Sequence, residues 1–365
     1  MEHKLYWIWL ALKESIPLRV RLELYNAFGD IKTLYETTWY DVSMKLPPEI
    51  EDELMDKSLD EAEKIYNKIK DMGGYILVLD DEKYPGYLAA IPQPPLVLYC
   101  RGKHIDWKSA FCLTVVGTRD YCDYGRKATE EIVKGLTRYG AVIVSGMARG
   151  IDAIAGCAAL HEGGDTVAVL GSGLDVVYPP EYGKLYNYIT KHGVVMTEFP
   201  PGTSPLKQNF PRRNRIMSGL SLGILVGQAP EKSGALISAK YATEDGRNVY
   251  VVPSDIYDKR FAGSNALIKD GAKLVRCAED IIEDYSYLDL QKREARKRPK
   301  KAPVDVSGLS GDEKKIVELL SGGRLHIDEL VRGAGVSSGE MNTSLMMLEI
   351  NGIVKKFSGN MYGLE

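Results

Sequence analysis

Apolar and polar positions change their period twice along the chain. From His3 to Met72 the pattern is helical throughout. Leu5 to Leu12 is one short apolar run, and Pro17 at a first-turn position opens a second segment that ends at Phe28 and Gly29. Ile50, Leu54, Ala62, Ile65, Ile69 and Met72 recur at spacings near three and four with charges between them. That predicts one long helix from Glu49 to Met72, closed by Gly73 and Gly74. Residues 1–72 therefore read as a small helical domain. The stretch from Ile16 to Asp30 has the look of helix-hairpin-helix or sterile-alpha-motif-like modules, which bind DNA backbone or proteins; a plain packing domain is the other reading.

Residues 73–109 read as a connector that adds strands at Tyr75 to Leu79 and Leu96 to Tyr99, with turn-rich sequence between. From Ala110 the pattern becomes strands alternating with helices. The strands are Leu113–Val116, Val142–Ser145, Val167–Leu170, Val194–Thr197, Leu222–Val226, Val249–Val252 and Leu274–Val275. Nearly all are continuous apolar runs, as expected of a parallel sheet covered on both faces, so residues 110–284 form an α/β domain. Residues 285–303 read as a basic linker. Residues 304–365 contain three helices (Asp312–Leu320, Ile327–Arg332, Glu340–Glu349) and a terminal hairpin turning at Ser358-Gly359-Asn360, the layout of a winged helix. Ser337 with Glu340 is a capping-box signature at the third helix.

Charge changes this picture locally. Across 365 residues, 47 Lys and Arg face 50 Asp and Glu, a formal net charge of −3. The molecule as a whole does not attract polyanions, and any nucleic-acid site must be a local concentration of cations. There are two. Pro205 to Arg215 holds Lys207, Arg212, Arg213 and Arg215 with Phe210 and Asn214 among them and no acidic residue. Cations that follow phosphates and a ring that stacks on an unpaired base suit single-stranded nucleic acid; a solvated basic turn is the alternative. The second, Gln291 to Lys301, has seven Lys or Arg against one Glu and reads as a solvated linker.

The third helix of the winged-helix stretch carries no Lys or Arg, unlike a helix that enters a major groove. It points to a protein contact, or to a weak DNA contact through Lys355 and Lys356, and away from a sequence-specific transcription factor. The five cysteines are scattered without metal-ligand spacing and read as small core residues in a reducing compartment, the cytoplasm. Leu5 to Leu12 is too short to span a bilayer and is followed by Lys13 and Glu14, so neither a signal peptide nor a membrane span is expected.

In parallel α/β sheets ligands bind where strands end and helices begin. Four such loops here are rich in small residues: Gly117-Thr118-Arg119, Ser145 to Asp152, Gly171 to Asp175, and Glu198 to Gly202. Glycines let backbone approach phosphate closely, and Arg119 and Arg149 add charge at the same sheet edge. With Lys207 and Arg212 to Arg215 they would form a basic pocket with a phosphate-sized floor. Any one loop also reads as a tight turn. Gly171-x-Gly173 lacks the third glycine of a dinucleotide fingerprint.

At these loops the chain resembles the DNA-processing protein A family, also called the Smf family. The resemblance is carried by Val116-Gly117-Thr118-Arg119 with Tyr124-Gly125, Ser145-Gly146-x-Ala148-x-Gly150-Ile151-Asp152, and Ala168 to Gly171 with Gly173-Leu174-Asp175 and Tyr178-Pro179. It continues through Phe210-Pro211-x-Arg213-Asn214-Arg215-Ile216, Ser233 to Ala239, and Leu267-Ile268-x-Asp270-Gly271-Ala272. Two departures stand out: Gly227-Gln228 where the family usually has Glu, and Ser254 after Val252-Pro253 where it usually has Gly.

The resemblance implies an extended Rossmann-like parallel sheet domain between a helical N-terminal domain and a C-terminal winged helix. It implies a homodimer that binds single-stranded DNA and delivers it to the RecA recombinase in natural transformation, with no cofactor and no metal. By position, Gly117, Thr118, Arg119, Gly146, Arg149, Lys207, Phe210, Arg212, Arg213, Asn214 and Arg215 would form the DNA site. Arg119 and Lys207 would meet phosphates and Phe210 would stack on a base. Leu267 and Ile268 would lie in the dimer interface.

An enzyme is the competing class. The same broad fold hosts phosphoribohydrolases, and Asp152, Asp175 and Glu198 stand at the ligand edge of the sheet. That pattern needs Pro-Gly-Gly-x-Gly-Thr followed by Glu, and the nearest stretch, Lys232 to Leu236, lacks both the glycine series and the acid.

Overall fold

A computed structural model describes residues 1–38, 46–294, 309–357 and 359–364. The basic run from 295 onward and the 303/304 boundary lie outside the described residues, as does Ser358 of the expected terminal turn.

The chain opens with α1 (Glu2–Leu12), α2 (Leu18–Phe28), α3 (Ile31–Glu36), α4 (Pro48–Met55) and α5 (Asp60–Asp71). The short apolar run is the central helix of this group: Leu5 through Leu10 are all buried, which is what apolarity on every face requires. The single helix expected over Glu49–Met72 is instead two. Asp56 Oδ1 accepts from Ser58 N at 3.1 Å, Ser58 Oγ accepts from Asp60 N at 3.3 Å, and the Asp56 carbonyl accepts from Trp9 Nε1 at 2.7 Å. Short polar side chains bonding local backbone compete with the helical ladder, and here they win for one turn.

The main sheet contains β1 (Gly74–Val78), β2 (Val97–Gly102), β3 (Cys112–Gly117), β4 (Val142–Ser145), β5 (Thr166–Val169), β6 (Val194–Thr197), β7 (Gly223–Gln228), β8 (Asn248–Val251) and β9 (Lys273–Leu274). Their spatial order is β1-β2-β6-β5-β4-β3-β7-β8-β9. β3 to β9 run parallel, and the connector strands β1 and β2 extend the sheet antiparallel beyond β6. The order reverses at β3, which makes the sheet doubly wound.

The helices between strands are α6 (Gly86–Ala89), α7 (Asp123–Arg138), α8 (Ile151–His161), α9 (Gly183–His192), α10 (Asn209–Leu220), α11 (Gly234–Glu244), α12 (Ala262–Lys269) and α13 (Glu279–Ile282). Along β3, Cys112 and Val116 join the core under α10 and α11, while Leu113 and Val115 join the core under α7 and α8. The N-terminal helices have no separate core; Leu5, Trp7 and Ile69 pack in one cluster with Val97, Tyr99 and Leu170 of the sheet.

The C-terminal part holds α14 (Gly311–Ser321), α15 (Ile327–Ala334) and α16 (Ser338–Ile350) with a small sheet. Its strands β10 (Leu325–His326), β11 (Val354–Phe357) and β12 (Met361–Leu364) are ordered β10-β12-β11. This is a winged helix with a core built on Ile316, Leu330, Met341, Leu345 and Leu348. The capping box at α16 forms as expected: Glu340 N donates to Ser337 Oγ at 3.3 Å, and Ser337 N to Glu340 Oε2 at 2.9 Å. α16 lies against α8, α9 and the turn at Pro180–Tyr182, and Met346 and Ile350 join the N-terminal cluster. A helix that docks on its own chain has no use for the cations of a groove reader.

Candidate nucleic-acid interface

The basic stretch from Pro205 is not an open turn. From Asn209 it is helix α10, with Pro211 in the first turn, where a missing N–H costs little. Successive residues turn by about 100° around a helix, so positions three and four apart share a face. Phe210, Arg213 and Asn214 therefore lie together, and Arg212 and Arg215 lie together on a different side.

The first face meets the carboxyl ends of the strands. Arg213 is 4% exposed, and its Nη1 donates to the carbonyls of Gly146, at 2.7 Å, and Val169. Its Nε donates to Asn214 Oδ1 at 3.1 Å. Asp152, also buried, accepts from Gly146 N at 3.2 Å. Burial pushes the Asp152 carboxyl up to about 6, against the opposing pull of Arg213 and of the Gly146, Gly117 and Ala148 amides. Burial likewise brings the Arg213 guanidinium down to about 10. Arg213 is thus a clamp between α10, the loop after β4 and the end of β5.

Above this clamp Phe210 sits half-buried, with the Arg119 and Arg213 guanidinium carbons each 5.9 Å from its ring centroid. The Tyr178 ring lies 5.7 Å away. A Cβ on Gly171 would come within 2.9 Å of the Phe210 ring, so glycine is required where the ring crosses the loop after β5. The resulting small pocket brings together Arg119, Gly146, Arg149, Phe210 and Arg213, and among the described residues no carboxylate lines it.

The second face looks elsewhere. Arg215 is buried, donating to Glu198 Oε2 and, at 2.7 Å, to the Gln93 carbonyl. Arg212 is half-exposed between Glu14 of the N-terminal helices, at 3.7 Å, and Glu198, at 3.9 Å. Its guanidinium carbon lies 5.0 Å from the Phe199 ring centroid. Arg213, Asn214 and Arg215, grouped with the cations from the sequence, are thus committed to internal partners.

Lys207 is exposed in the turn before α10 and outside the pocket lining. Gly117 and Thr118 support the pocket from below: a Cβ on Gly117 would strike Ile151 at 2.6 Å, and the Thr118 carbonyl accepts from Ile151 N at 3.2 Å. Arg149 is exposed and ion-paired with Glu181, for which the sequence carried no signal. Tyr178, present in the quoted motif, gains a place beside Phe210 that its spacing alone did not reveal.

The three carboxylates of the enzyme reading are each engaged. Asp152 lies under the loop after β4, Asp175 bonds Lys68 at 2.6 Å and Gly202 N at 2.7 Å, and Glu198 holds Arg215. Gln228, at the first departure noted above, accepts from Cys122 N at 3.0 Å and packs under Gly125, fixing the entry to α7. Leu267 and Ile268 on α12 are half-buried against the sheet core, one strand from the edge strand β9.

The fold and site define a doubly wound α/β protein with a basic, aromatic pocket at its strand ends and a docked winged helix. The chain belongs to the DNA recombination-mediator protein A family: that family's model matches residues 75–286, and the DprA winged helix domain matches residues 299–360. Among its relatives, Protein Smf of Synechocystis is 35% identical over 314 residues, covering 78% of this chain and 79% of the relative. The DNA processing protein DprA of Bacillus subtilis is 37% identical over 238 residues, covering 63% and 80%. The crystal structure of DNA processing protein A from Streptococcus pneumoniae superposes with a TM-score of 0.69 at 33% identity, covering 77% of this chain and 97% of that one. DNA processing protein A from Helicobacter pylori, described for its single-stranded DNA binding mode, gives 0.53 at 29% identity, covering 60% and 97%. No helix among the described residues is long and apolar enough to cross a membrane.

Proposed function

We propose that this chain is a single-stranded DNA-binding protein without catalytic activity that protects incoming DNA and loads the RecA recombinase onto it during natural transformation, acting as a homodimer. The observation that carries the binding half is the pocket at Phe210, where a half-buried ring stands between guanidinium groups with glycine backbone below it and no carboxylate in the described lining. Such a site accepts a base on the ring and a phosphate on Arg119, with Arg149 beside it. Lys207, exposed and without an ion pair among the described residues, meets a neighbouring phosphate as the strand leaves. The family's description as a recombination mediator supports the delivery half.

The phosphoribohydrolase reading needs a carboxylate free to work in the pocket, and Asp152, Asp175 and Glu198 are all otherwise engaged.

The test is fluorescence anisotropy of labelled oligothymidine and of its duplex at two salt concentrations, with Arg119→Ala and Lys207→Glu alongside. Single-strand preference is expected. Each lost phosphate contact should lower the slope of log affinity against log salt by about 0.7. An unchanged slope in both variants would refute the site. Delivery is read from RecA filament nucleation on strands coated with single-strand-binding protein, and no acceleration by the chain would refute that half.

A further inference from the structure

The pocket at Phe210 opens on one side. Arg119 and Arg149 line it and also line a second, larger cleft of about 600 Å³. One wall of this cleft is α7 and α8; the other is α16 with the wing strands β11 and β12. Among its lining residues cations outnumber carboxylates seven to four, against a net negative charge for the whole chain.

The carboxylates are largely occupied. Glu181 pairs with Arg149, Glu130 with Arg126 and Lys134, and Glu349 Oε1 accepts from Lys356 N at 3.0 Å; Glu131 alone is exposed without an ion pair among the described residues. Lys355, on the wing, is also exposed and without an ion pair among the described residues. Tyr121, partly exposed, lines the same cleft, with Lys356 Nζ 5.8 Å from its ring centroid. Available cations from the loop after β3 and from the wing, with a ring in the same cleft, repeat the chemistry of the first pocket.

We propose that a single strand held at Phe210 continues through this cleft past Tyr121 to Lys355, so that the docked winged helix is a wall of the strand's track and not a separate reader of duplex DNA. The inference rests on the binding reading above and extends the footprint from one pocket to two. It also gives the cation-free α16 a role: it holds the wing in place against α8 and α9 while β11 supplies the phosphate contact.

The test uses the full chain and two oligothymidines, one of about 6 nucleotides that fills the first pocket and one of about 20 that reaches the wing. Lys355→Gln and Tyr121→Leu, which keeps the packing bulk, are compared with Arg119→Ala. Both cleft variants should bind the long strand about 5-fold or more weakly and leave the short strand unchanged. Lys355→Gln should also lower the long strand's salt slope by about 0.7. Arg119→Ala should weaken both lengths.

If the cleft variants leave the long strand unaffected while Arg119→Ala weakens both, the track is overturned and the pocket stands. Equal losses on both lengths would also overturn it, because a general change in surface charge acts that way. A silent Arg119→Ala overturns the pocket, and the continuity proposed here with it.

Discussion

Arg213 separates a structural arginine from a DNA-contacting one. Replacing it by Ala leaves the Gly146 and Val169 carbonyls without their donor and leaves Asp152 buried beside no cation. An orphaned buried acceptor costs about 1–3 kcal/mol, and Asp152 also loses the attraction of a nearby cation. These groups share one network, so the terms do not simply add, and a loss of about 3 kcal/mol is expected. Arg213→Lys keeps a charge near Asp152 but loses the Nε donor that bonds Asn214 Oδ1, and should recover part of that loss. Denaturant titration of both variants measures the stability. Anisotropy measures the second consequence: affinity falls because Phe210 and the loop after β4 shift, while the salt slope keeps its original value. A slope reduced by about 0.7 at undiminished stability would refute the clamp and make Arg213 a phosphate ligand.

Two further outcomes follow from the same geometry. Asp152 is pushed up to about 6 from its ordinary 3.8, so the folded chain holds that proton more tightly than the unfolded one. Its contribution is fully present below about pH 4 and is lost as pH rises through about 6; Asp152→Asn should flatten that part of the denaturation midpoint against pH, and a slope identical to the parent's would count against the assignment. For self-association, Ile268→Glu places a charge on half-buried α12 beside the sheet edge and should shift sedimentation towards monomer with unchanged circular dichroism; an unaltered sedimentation coefficient would remove α12 from the interface.

The sheet was legible in the sequence because strands covered on both faces are continuous apolar runs, and β4 and β6 match their expected bounds to the residue. α10 was not. Its first half buries Asn209, Arg213, Asn214 and Arg215, and apolar residues enter the core only at its end, at Ile216, Met217 and Leu220, so it shows no sustained apolar period to read. The break between α4 and α5 was hidden for a related reason: Asp56 and Ser58 fit a helical pattern by composition and end it through side-chain bonds that depend on Trp9 and Lys13 lying nearby. The pocket's motif residues were legible one by one. Which cations face a ligand was not, because adjacent arginines on a helix point about 100° apart.

That division has an energetic basis. Arg215 and Glu198 are 9% and 8% exposed, and a phosphate could take Arg215 only by leaving a carboxylate buried and unpaired. The cost of several kcal/mol exceeds what one phosphate contact returns. Arg149 is 54% exposed, against 9% for Arg215, so it can meet a phosphate from the solvent side while keeping its pair with Glu181. Arg119 and Lys207 have no ion pair among the described residues to give up. Within the basic stretch Arg213 and Arg215 therefore hold α10 against the sheet, Arg212 stands half-exposed between two carboxylates, and Lys207 remains exchangeable together with Arg119 and Arg149 from neighbouring loops. With Arg119 and Arg149 in the pocket lining and Lys207 outside it as the exchangeable cations, the salt slope per chain for a short strand should lie near −2, and the larger value suggested by counting every Lys and Arg from 205 to 215 would overstate the contacts.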